Sequence, residues 1–290
     1  MRPSSNQPFP GPALGAPPPW GSRTYVMGIL NLTPDSFSDG GRFNHPETAG
    51  RQAALMVSQG VDVIDLGGQS TRPGAAEISG EEEIQRVVPI LRSLAQALDP
   101  SGSATALSID TFRAPVAEAA LEAGAHWIND VRGGQGDPAI LRVAANAGCP
   151  YVLTHSRGTS RSMDALARYQ DVVEDVRIEL SRATDAALAA GIRRDRLIWD
   201  PGLGFAKTTS HNLLLLRGLP TLKAEGFPLL VGPSRKRFIG EVLEEPRPRA
   251  RLWGTAAVCS QAIAAGADIL RVHDVGPIVQ TCRMSDALWR

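Results

Sequence analysis

The feature that most constrains this chain is a repeated unit, a short apolar run that gives way abruptly to polar, glycine-rich sequence. The first run extends from Tyr25 to Leu30 within the stretch YVMGILNLTPDSFSDGG and stops at Asn31. A nearly unbroken apolar run is typical of a strand buried on both faces, and a parallel sheet provides that environment. The loop after Asn31 is rich in residues that favour turns. We therefore predict a buried strand that carries Asn31 to the start of an open loop.

Seven further apolar runs alternate with segments of helical spacing. The polar residues at or near the ends of these runs are Asp65, Asp110, Asn129, His155, Asp200, Lys236 and Arg271. Helices are predicted from Pro46 to Gln59, Ser79 to Leu98, Pro115 to Gly124, Pro138 to Asn146, Met163 to Ala190, and from Pro277 onwards. Ser79 and Glu82 form a capping-box pattern, which opens a helix.

This alternation favours the α/β class and a single (β/α)8 TIM barrel. The competing architecture is a doubly wound open sheet, which usually has fewer strands and a glycine-rich dinucleotide turn after the first one. No GxGxxG pattern follows Leu30. We predict one barrel domain over residues 23–290. Residues 1–22 are rich in proline with little to bury, so we expect a disordered tail and not a signal peptide.

The composition argues against nucleic-acid and membrane partners. The formal net charge is +0 and 21% of residues are charged, so no basic surplus exists to attract either. No apolar run approaches the roughly 20 residues that a membrane span needs. Cys149, Cys259 and Cys282 are far apart and lack metal-ligand spacing. We expect small buried core residues in a protein of the reducing cytoplasm.

A barrel brings the C-terminal ends of all its strands to one face, so the polar residues at those ends should converge. Each residue taken alone also has a structural explanation. His155 can be a buried, hydrogen-bonded histidine, Asp65 can cap a turn, and Asn129 can hold a loop through backbone hydrogen bonds. The functional signal is the convergence of all of them.

One group of these residues suits a flat polar heterocycle. Carboxylates such as Asp110 and Asp200 accept from ring N–H and amino groups, the Asn129 amide donates and accepts, and Lys236 donates to a ring oxygen or nitrogen. A second group offers hydroxyl and cationic donors to an anion such as a diphosphate. It consists of Ser70, Thr71, Arg72, Arg271 and His273, with Ser234 to Lys236 before a helix whose N-terminus favours negative charge.

Asn31 offers a neutral oxygen ligand, and Mg²⁺ bound mainly by phosphate oxygens and waters needs few protein ligands. A heterocycle site beside an anion site indicates displacement at a carbon that carries a diphosphate leaving group.

Seven motifs then make a resemblance specific. In order along the chain they are NLTPDSFSDGG, DLGGQSTRPGA, SIDTF, WINDVRGG, DPGLGFAKT, VGPSRKRFIG and RVHDV. They resemble the dihydropteroate synthases and span about Tyr25 to Val275. The resemblance implies a pterin-binding TIM barrel that condenses p-aminobenzoate with 6-hydroxymethyl-7,8-dihydropterin diphosphate in folate biosynthesis. It also implies a homodimer, dependence on Mg²⁺ and sensitivity of the family to sulfonamides.

The resemblance also implies roles for individual residues. Asp110, Asn129, Asp200 and Lys236 would hold the pterin and carry the catalysis, and Asn31 would ligate Mg²⁺. The residues expected to grip diphosphate are Thr71, Arg72, Arg271 and His273. The loops around Pro34 to Phe37 and Thr71 to Pro73 would close over p-aminobenzoate, and Phe205 and Ser234 complete the predicted substrate-binding set.

Three positions depart from the family pattern. Thr154 stands where a methionine is frequent, so apolar contact with the pterin face is expected to weaken. Ala206 replaces a common glycine before Lys207, a change we expect to be tolerated if φ there is negative. Arg237 replaces a serine that often meets the aminobenzoate carboxylate, and either its charge or backbone N–H groups could serve instead.

Two alternatives remain open from the sequence. One is a methyltetrahydrofolate-dependent methyltransferase of the same barrel class, which would have little use for the anion group. The other is a catalytically silent pterin-binding paralogue. The predicted long helix carries Val173, Val176, Leu180 and Ala187 on one side, which could meet a second subunit or pack against its own barrel.

Overall fold

Eight parallel strands form one sheet in the computed structural model, which describes residues 19–33, 46–70, 74–98 and 105–290. They are β1 (Tyr25–Asn31), β2 (Val63–Gly67), β3 (Ala106–Asp110), β4 (Trp127–Asp130), β5 (Tyr151–Thr154), β6 (Leu197–Asp200), β7 (Leu230–Val231) and β8 (Ile269–Val272). Their order is β6-β5-β4-β3-β2-β1-β8-β7. The backbone N–H of Trp199 donates to the Pro228 carbonyl at 2.9 Å, and Trp199 pairs in parallel with Leu229. Since β6 thereby meets the segment leading into β7, the sheet closes and the predicted (β/α)8 barrel is confirmed.

Helices follow the strands around the outside of the barrel. They are α1 (Pro46–Ser58), α2 (Gly80–Leu98), α3 (Ala114–Glu122), α4 (Ala139–Ala147), α5 (Val172–Ala189), α6 (Thr209–Arg217), α7 (Leu219–Lys223), α8 (Arg237–Leu243), α9 (Leu252–Ala264) and α10 (Val275–Trp289). Three short 3₁₀ segments lie at Met163–Leu166, Arg194–Arg196 and Pro248–Arg251.

The helix starts and stops follow local chemistry. Ser79 Oγ accepts a hydrogen bond from Glu82 N at 3.1 Å just before α2, as the capping pattern predicts. The Glu82 carboxylate turns instead to Arg86, one turn further along the helix. Gly148 ends α4 with a left-handed backbone (φ 60), a conformation that glycine adopts at little cost.

The long predicted helical stretch from Met163 to Ala190 is divided in the structure. A 3₁₀ turn covers Met163–Leu166, and α5 begins only at Val172. Arg157 holds the intervening segment out of the helix, because its Nη1 donates to the Arg168 carbonyl at 2.5 Å and its guanidinium lies 3.9 Å from the centre of the Tyr169 ring. Asp171 then caps α5 by accepting from Val173 N at 2.9 Å.

Two apolar cores lie on either side of the strands. The interior of the barrel is filled by inward-facing side chains that include Tyr25, Met27, Trp127 and Ile198. Trp20 lies in the segment predicted as tail and packs edge-on against Tyr25 and Trp127, with ring centres 5.7 and 6.4 Å away. The larger core lies between the strands and the helices. The boundaries predicted for the tail and the barrel domain stay predictions.

Helix α5 contributes to that outer core. Val176, Leu180 and Ala187 are buried and Val173 is half-buried against the same cluster, so this face of α5 packs on its own barrel. The three cysteines are free and buried, as expected. Among the helices of the described ranges, none has both the length and the apolar character that a membrane crossing requires.

The parallel register brings the strand ends to one face of the barrel. Gly67 pairs with Asp110, Asp110 pairs with Asn129, and Thr154 pairs with Asp200. The last residues of neighbouring strands are therefore side by side, and their side chains can reach the same space.

Candidate functional site

Four strand-end side chains form a continuous hydrogen-bonded cluster at the mouth of the barrel. Arg271 donates through Nε to Asp65 Oδ2 at 2.7 Å and through Nη2 to Asp110 Oδ2 at 2.5 Å. Asn129 Nδ2 donates to the same Asp65 oxygen at 2.9 Å. Asp65, Asp110 and Asn129 are buried, and Arg271 is half-buried above them. The predicted convergence of Asp110, Asn129 and Arg271 is thus present.

Two acceptors in this cluster have no donor. Asn129 Oδ1 and Asp65 Oδ1 are buried and make no hydrogen bond among the described residues. A buried acceptor left unsatisfied costs about 1–3 kcal/mol, so native proteins rarely keep one without a reason. A ligand that carries N–H or amino groups would supply the missing donors.

A second cluster lies at the ends of β5 and β6 and in the loops after β6 and β7, and it consists of Thr154, Asp200, Phe205 and Lys236. Asp200 Oδ1 accepts from Gly202 N at 2.8 Å, and Asp200 Oδ2 accepts from Thr154 Oγ1 at 3.4 Å. Lys236 Nζ lies 4.3 Å from the centre of the Phe205 ring, a cation–π contact. The charges of Asp200 and Asp110 both act on Lys236 and favour its protonated form.

The pKa values of three groups in these clusters are shifted toward neutral pH. Burial raises the pKa of Asp110 to about 7, although the Arg271 guanidinium opposes that rise. Burial and the charge of Arg271 lower the pKa of Lys236 to about 8, although Asp200 and Asp110 act against them. Burial likewise raises the pKa of Asp200. Titratable groups shifted toward neutral pH in one cleft are typical of functional sites.

The predicted anion group is only partly assembled from described residues. Ser234 Oγ accepts from His273 N at 3.1 Å and lies 3.0 Å from His273 Nδ1, so these two residues are adjacent. Arg235 forms a two-bond ion pair with Asp274, with Nε to Oδ2 at 3.0 Å and Nη2 to Oδ1 at 2.5 Å. Arg271 points to the carboxylates of the first cluster. Four predicted site residues, Pro34, Phe37, Thr71 and Arg72, lie outside the described residues.

The predicted metal ligand lies at the same mouth. Asn31 ends β1, is half-buried, and makes no side-chain hydrogen bond within the described ranges. No group of three or more histidine, cysteine, aspartate or glutamate side chains in those ranges could hold a metal ion. The amide oxygen of Asn31 is a neutral donor of the kind that Mg²⁺ accepts, and the metal site stays a prediction.

The position of Asp65 in the sequence does not reveal its role in the cluster. Its strand position was recognised, but a turn cap was the favoured explanation, whereas the structure places its carboxylate between Asn129 and Arg271. A charged residue inside the apolar run VDVIDL was the available signal. The structural explanation of His155 is confirmed, since its side chain is buried and both ring nitrogens have partners in Lys207 and Glu179.

The three departures from the family pattern have distinct surroundings. Thr154 is buried and uses its hydroxyl to contact Asp200. Ala206 has a φ of 49, so the condition of a negative φ is not met and this alanine occupies the left-handed region. The Arg237 side chain is 59% exposed and lies 3.5 Å from both Asp164 and Glu241.

A cleft adjoins the second cluster, because Phe205 borders both. It lies between the loops that follow β2, β4 and β5, and its lining includes Ser70, Phe112, Arg132, Arg157 and Met163. Arg132 is paired with Glu77 and stacks 3.8 Å from the centre of the Phe112 ring. The mouth of the barrel therefore offers aromatic and cationic surface next to the polar clusters.

Comparison with known proteins agrees with this geometry. The profile of a family described as pterin binding enzyme matches residues 27–273. The dihydropteroate synthase of Synechocystis sp. is 54% identical over 271 residues, which are 93% of this chain and 92% of the relative. An identity this high over nearly the whole of both chains indicates a shared family.

Solved structures are similar over the same length. A dihydropteroate synthase from Xanthomonas albilineans in complex with 7,8-dihydropteroate superposes with a TM-score of 0.81 at 39% identity, covering 92% of this chain and 94% of that one. A Yersinia pestis dihydropteroate synthase with a sulfonamide drug complex superposes with a TM-score of 0.86 at 43% identity, with the same coverage. The chain therefore belongs to the family of pterin binding enzymes and, within it, to the dihydropteroate synthases.

Proposed function

We propose that this chain condenses 6-hydroxymethyl-7,8-dihydropterin diphosphate with p-aminobenzoate to give 7,8-dihydropteroate and diphosphate. The observation that carries the proposal is the buried cluster of Asp65, Asp110 and Asn129, in which two acceptors have no donor among the described residues. A pterin ring presents N–H and amino donors of the kind this cluster lacks. Membership of the dihydropteroate synthases supports the same substrate.

Asp110, Asn129, Asp200 and Lys236 are proposed to hold the pterin ring. The amide of Asn129 and the carboxylate of Asp200 offer acceptors, and protonated Lys236 offers donors to a ring oxygen or nitrogen. Phe205 lies 4.3 Å below the Lys236 ammonium and closes one side of this space. Since all four polar side chains face one mouth, one flat ligand can contact them together.

The proposed reaction is a dissociative displacement at the methylene carbon of the pterin. The carbon–oxygen bond breaks, its electron pair leaves with diphosphate, and a cationic pterin methylene remains. The ionised carboxylate of Asp110 stabilises that cation electrostatically. The neutral amine of p-aminobenzoate then forms the new carbon–nitrogen bond and loses a proton. No covalent intermediate with the protein is required.

The anion group is proposed to bind the leaving diphosphate. Ser234 and His273 are adjacent at the ends of β7 and β8, and Arg271 can supply a guanidinium if it exchanges its carboxylate partners for phosphate oxygens. Thr71 and Arg72 are proposed to join them, and the loops around Pro34 to Phe37 and Thr71 to Pro73 are proposed to cover p-aminobenzoate. Asn31 would hold Mg²⁺, which when bound neutralises charge on the departing diphosphate.

We further propose a cytoplasmic homodimer. Large exposed apolar side chains on two outer helices support this, namely Trp253 on α9 and Met284 and Leu288 on α10. Trp253 is 79% exposed, and α9 packs directly against α10. Large apolar side chains that stay exposed on packed outer helices are candidates for a protein interface. Three free cysteines buried in the core are in keeping with a reducing compartment.

Assay of the purified protein with both substrates and Mg²⁺ tests the proposed reaction. We expect diphosphate and dihydropteroate to form in equal amounts and only when p-aminobenzoate is present. Pterin binding without diphosphate release would overturn the proposal in favour of a silent pterin-binding paralogue. The relatives named above are synthases, so they give no support to the methyltransferase alternative.

A further inference from the structure

A buried lysine lies beneath the proposed pterin site without touching it. Lys207 is 2% exposed and follows the glycine-rich loop after β6. Its Nζ donates to the carbonyls of Gly202 and Phe205, both at 3.0 Å, and lies 2.9 Å from His155 Nδ1. These three acceptors match the three N–H donors of one ammonium group. The side chain is therefore fully coordinated in a dry environment.

His155, one of the partners of Lys207, is itself held by a hydrogen bond to α5. His155 Nε2 lies 2.9 Å from Glu179 Oε2, on α5. Arg157 holds the same carboxylate, with Nε 3.1 Å from each of its oxygens. Burial lowers the pKa of His155 to about 4, so the ring is neutral, accepts at Nδ1 and donates at Nε2. Hydrogen bonds from His155 and Arg157 lower the pKa of Glu179 to about 2 although burial opposes ionisation.

The loop held by Lys207 carries two side chains of the site. Gly202 N donates to Asp200 Oδ1 at 2.8 Å, while Gly202 O accepts from Lys207, so one peptide group is fixed on both sides. At the other end, the carbonyl of Phe205 accepts from Lys207 and its ring faces Lys236. Loss of the ammonium would release both ends of the loop together.

The backbone of this loop is tightly packed and conformationally constrained. A Cβ at Gly202 would lie 1.9 Å from the His155 carbonyl oxygen, so the loop rests directly on the end of β5. Gly202, Gly204 and Ala206 all have positive φ, and Ala206 immediately precedes Lys207. A left-handed backbone at a non-glycine residue persists only where the surrounding structure enforces it. The contacts of Lys207 provide that enforcement.

The composition shows that a lysine at this position is unusual for the chain. Arginine supplies 27 of the 30 basic residues, and the only lysines are Lys207, Lys223 and Lys236. A guanidinium presents five donors in a planar fork, whereas an ammonium presents three and is compact. The pocket formed by His155 and two carbonyls of one loop suits the compact group.

We propose that Lys207, supported by His155 and Glu179, is a positioning residue that sets the loop after β6 so that Asp200 and Phe205 face the pterin. The inference rests on the proposed function, because it needs the pterin to bind at this mouth. Lys207 contacts the loop and not the substrate. Burial lowers the pKa of Lys207 to about 7, while Asp200 and Glu179 favour its charge and Arg157 and Lys236 oppose it.

The test compares Lys207→Met with Lys223→Met. Lys223 donates to the buried carboxylate of Asp268 at 2.5 Å at the opposite end of the barrel, so it is a matched loss of a structural lysine. Binding of free 6-hydroxymethylpterin, which has no leaving group, is measured by calorimetry, and the KM values for both substrates are measured by assay. Circular dichroism and thermal unfolding confirm that each variant is folded.

We expect Lys207→Met to weaken binding of the free pterin by roughly tenfold or more, equivalent to one or two lost hydrogen bonds to a charged group. Its KM for p-aminobenzoate should change by less than about threefold, since that ligand does not rest on Asp200. Lys223→Met should lower thermal stability and leave pterin affinity unchanged. Equal affinity for the pterin in Lys207→Met and the unaltered protein overturns the inference, and so does an equal rise in both KM values.

A second pair of variants covers the case in which Lys207→Met does not fold. Glu179→Ala removes the support of His155, and Glu174→Ala removes an exposed carboxylate from the same helix, where it pairs with Arg177. Glu179→Ala should weaken pterin binding more than Glu174→Ala does, and equal affinities overturn the inference. A protein that binds free pterin but releases no diphosphate contradicts the proposed reaction alone, so the two failures are distinguishable.

Discussion

Asp110 shows how one residue can combine binding and catalysis. Its carboxylate is buried at the end of β3 and accepts from Arg271 at 2.5 Å. A buried carboxylate is costly when ionised, which is why burial raises its pKa to about 7. If diphosphate draws Arg271 away, the remaining negative charge faces the developing cation without a competing partner. Asp110 therefore stabilises the cationic transition state more than it stabilises the bound substrate.

The first prediction concerns that charge. Asp110→Asn should lower kcat by roughly a hundredfold or more, as removal of one preorganised electrostatic group typically does. Pterin affinity, measured by calorimetry with the free pterin, should fall much less, because the amide can still accept a hydrogen bond. Equal losses in kcat and affinity would contradict the cation-stabilising role.

The pH dependence of the unaltered protein provides a check on the same charge. Because the pKa of Asp110 is raised to about 7, kcat should rise as pH increases through that region. Lys236, with a pKa lowered to about 8, also loses its proton in this region, so the comparison with Asp110→Asn is needed to assign the rise to Asp110. The substrate diphosphate is titrated separately as a control. The acid limb should be absent in Asp110→Asn.

The second prediction concerns Lys236. Lys236→Ala should weaken pterin affinity by roughly tenfold, because it removes a charged donor from a half-buried site. The change also removes the cation that faces Phe205 and balances Asp200 and Asp110. Calorimetry with the free pterin measures the effect. Unchanged affinity would remove Lys236 from the site.

The third prediction concerns backbone strain at Ala206. Glycine relieves the cost of a positive φ but loses a buried methyl group worth about 0.8 kcal/mol and gains freedom in the unfolded chain. These effects nearly cancel, so Ala206→Gly should change the free energy of unfolding by less than about 1 kcal/mol. Ala187→Gly, at a buried helical position in α5, should lose roughly 2 kcal/mol. Denaturant titration measures the free energy of unfolding of both variants. Equal losses would show that Ala206 carries no backbone strain.

The sequence could identify site residues at strand ends, but not those that meet through long side chains or loop carbonyls. Asp110, Asn129 and Asp200 are the last or nearly the last residues of apolar runs, and the rule that strand ends converge in a barrel was enough to group them. Asp65 and Arg271 meet through side-chain reach across the mouth, which strand position does not specify. Lys207 acts through loop carbonyls, and no spacing rule indicates that contact.

At the scale of elements, the eight apolar runs correspond to the eight strands, and apolar periodicity located most ends of the predicted helices within two residues. It did not locate the break between Leu166 and Val172, because the cause is a contact distant in sequence. Arg157 reaches the Arg168 carbonyl from the loop after β5 and stacks on Tyr169. Helix propensity depends on local sequence, so it does not predict a helix end that results from a contact with another loop.

The fourth prediction concerns the start of α5. Asp171 has an extended backbone (φ −131) and accepts from both Val173 N and Glu174 N. Asp171→Ala should therefore cost about 1 kcal/mol of unfolding free energy, the usual value of an N-cap. Asp185→Ala, on the exposed side of the same helix, should be neutral or slightly stabilising, since alanine is the better helix former. Similar losses in the two variants would rule out a capping role.

At the scale of the whole molecule, closure of the barrel explains why distant motifs cooperate. Asp65 and Arg271 are 206 residues apart in sequence, yet they are hydrogen-bonded because β1 lies between β2 and β8 in the closed sheet. The sequence could predict this closure from eight alternating runs, but it could not predict which outer surface would be left apolar. That surface lies on α9 and α10, whereas the apolar side of α5 faces its own barrel.

The fifth prediction follows from that surface and concerns assembly. Trp253 is 79% exposed at the start of α9, and Met284 is 60% exposed on the neighbouring α10. If two copies pair through these helices, Trp253→Glu places a charge in the interface and should shift the protein from dimer to monomer in sedimentation velocity. Leu188→Glu, on the exposed side of α5, is the matched control and should leave the dimer intact. A monomer in the unaltered protein, or equal dissociation in both variants, would contradict pairing through α9 and α10.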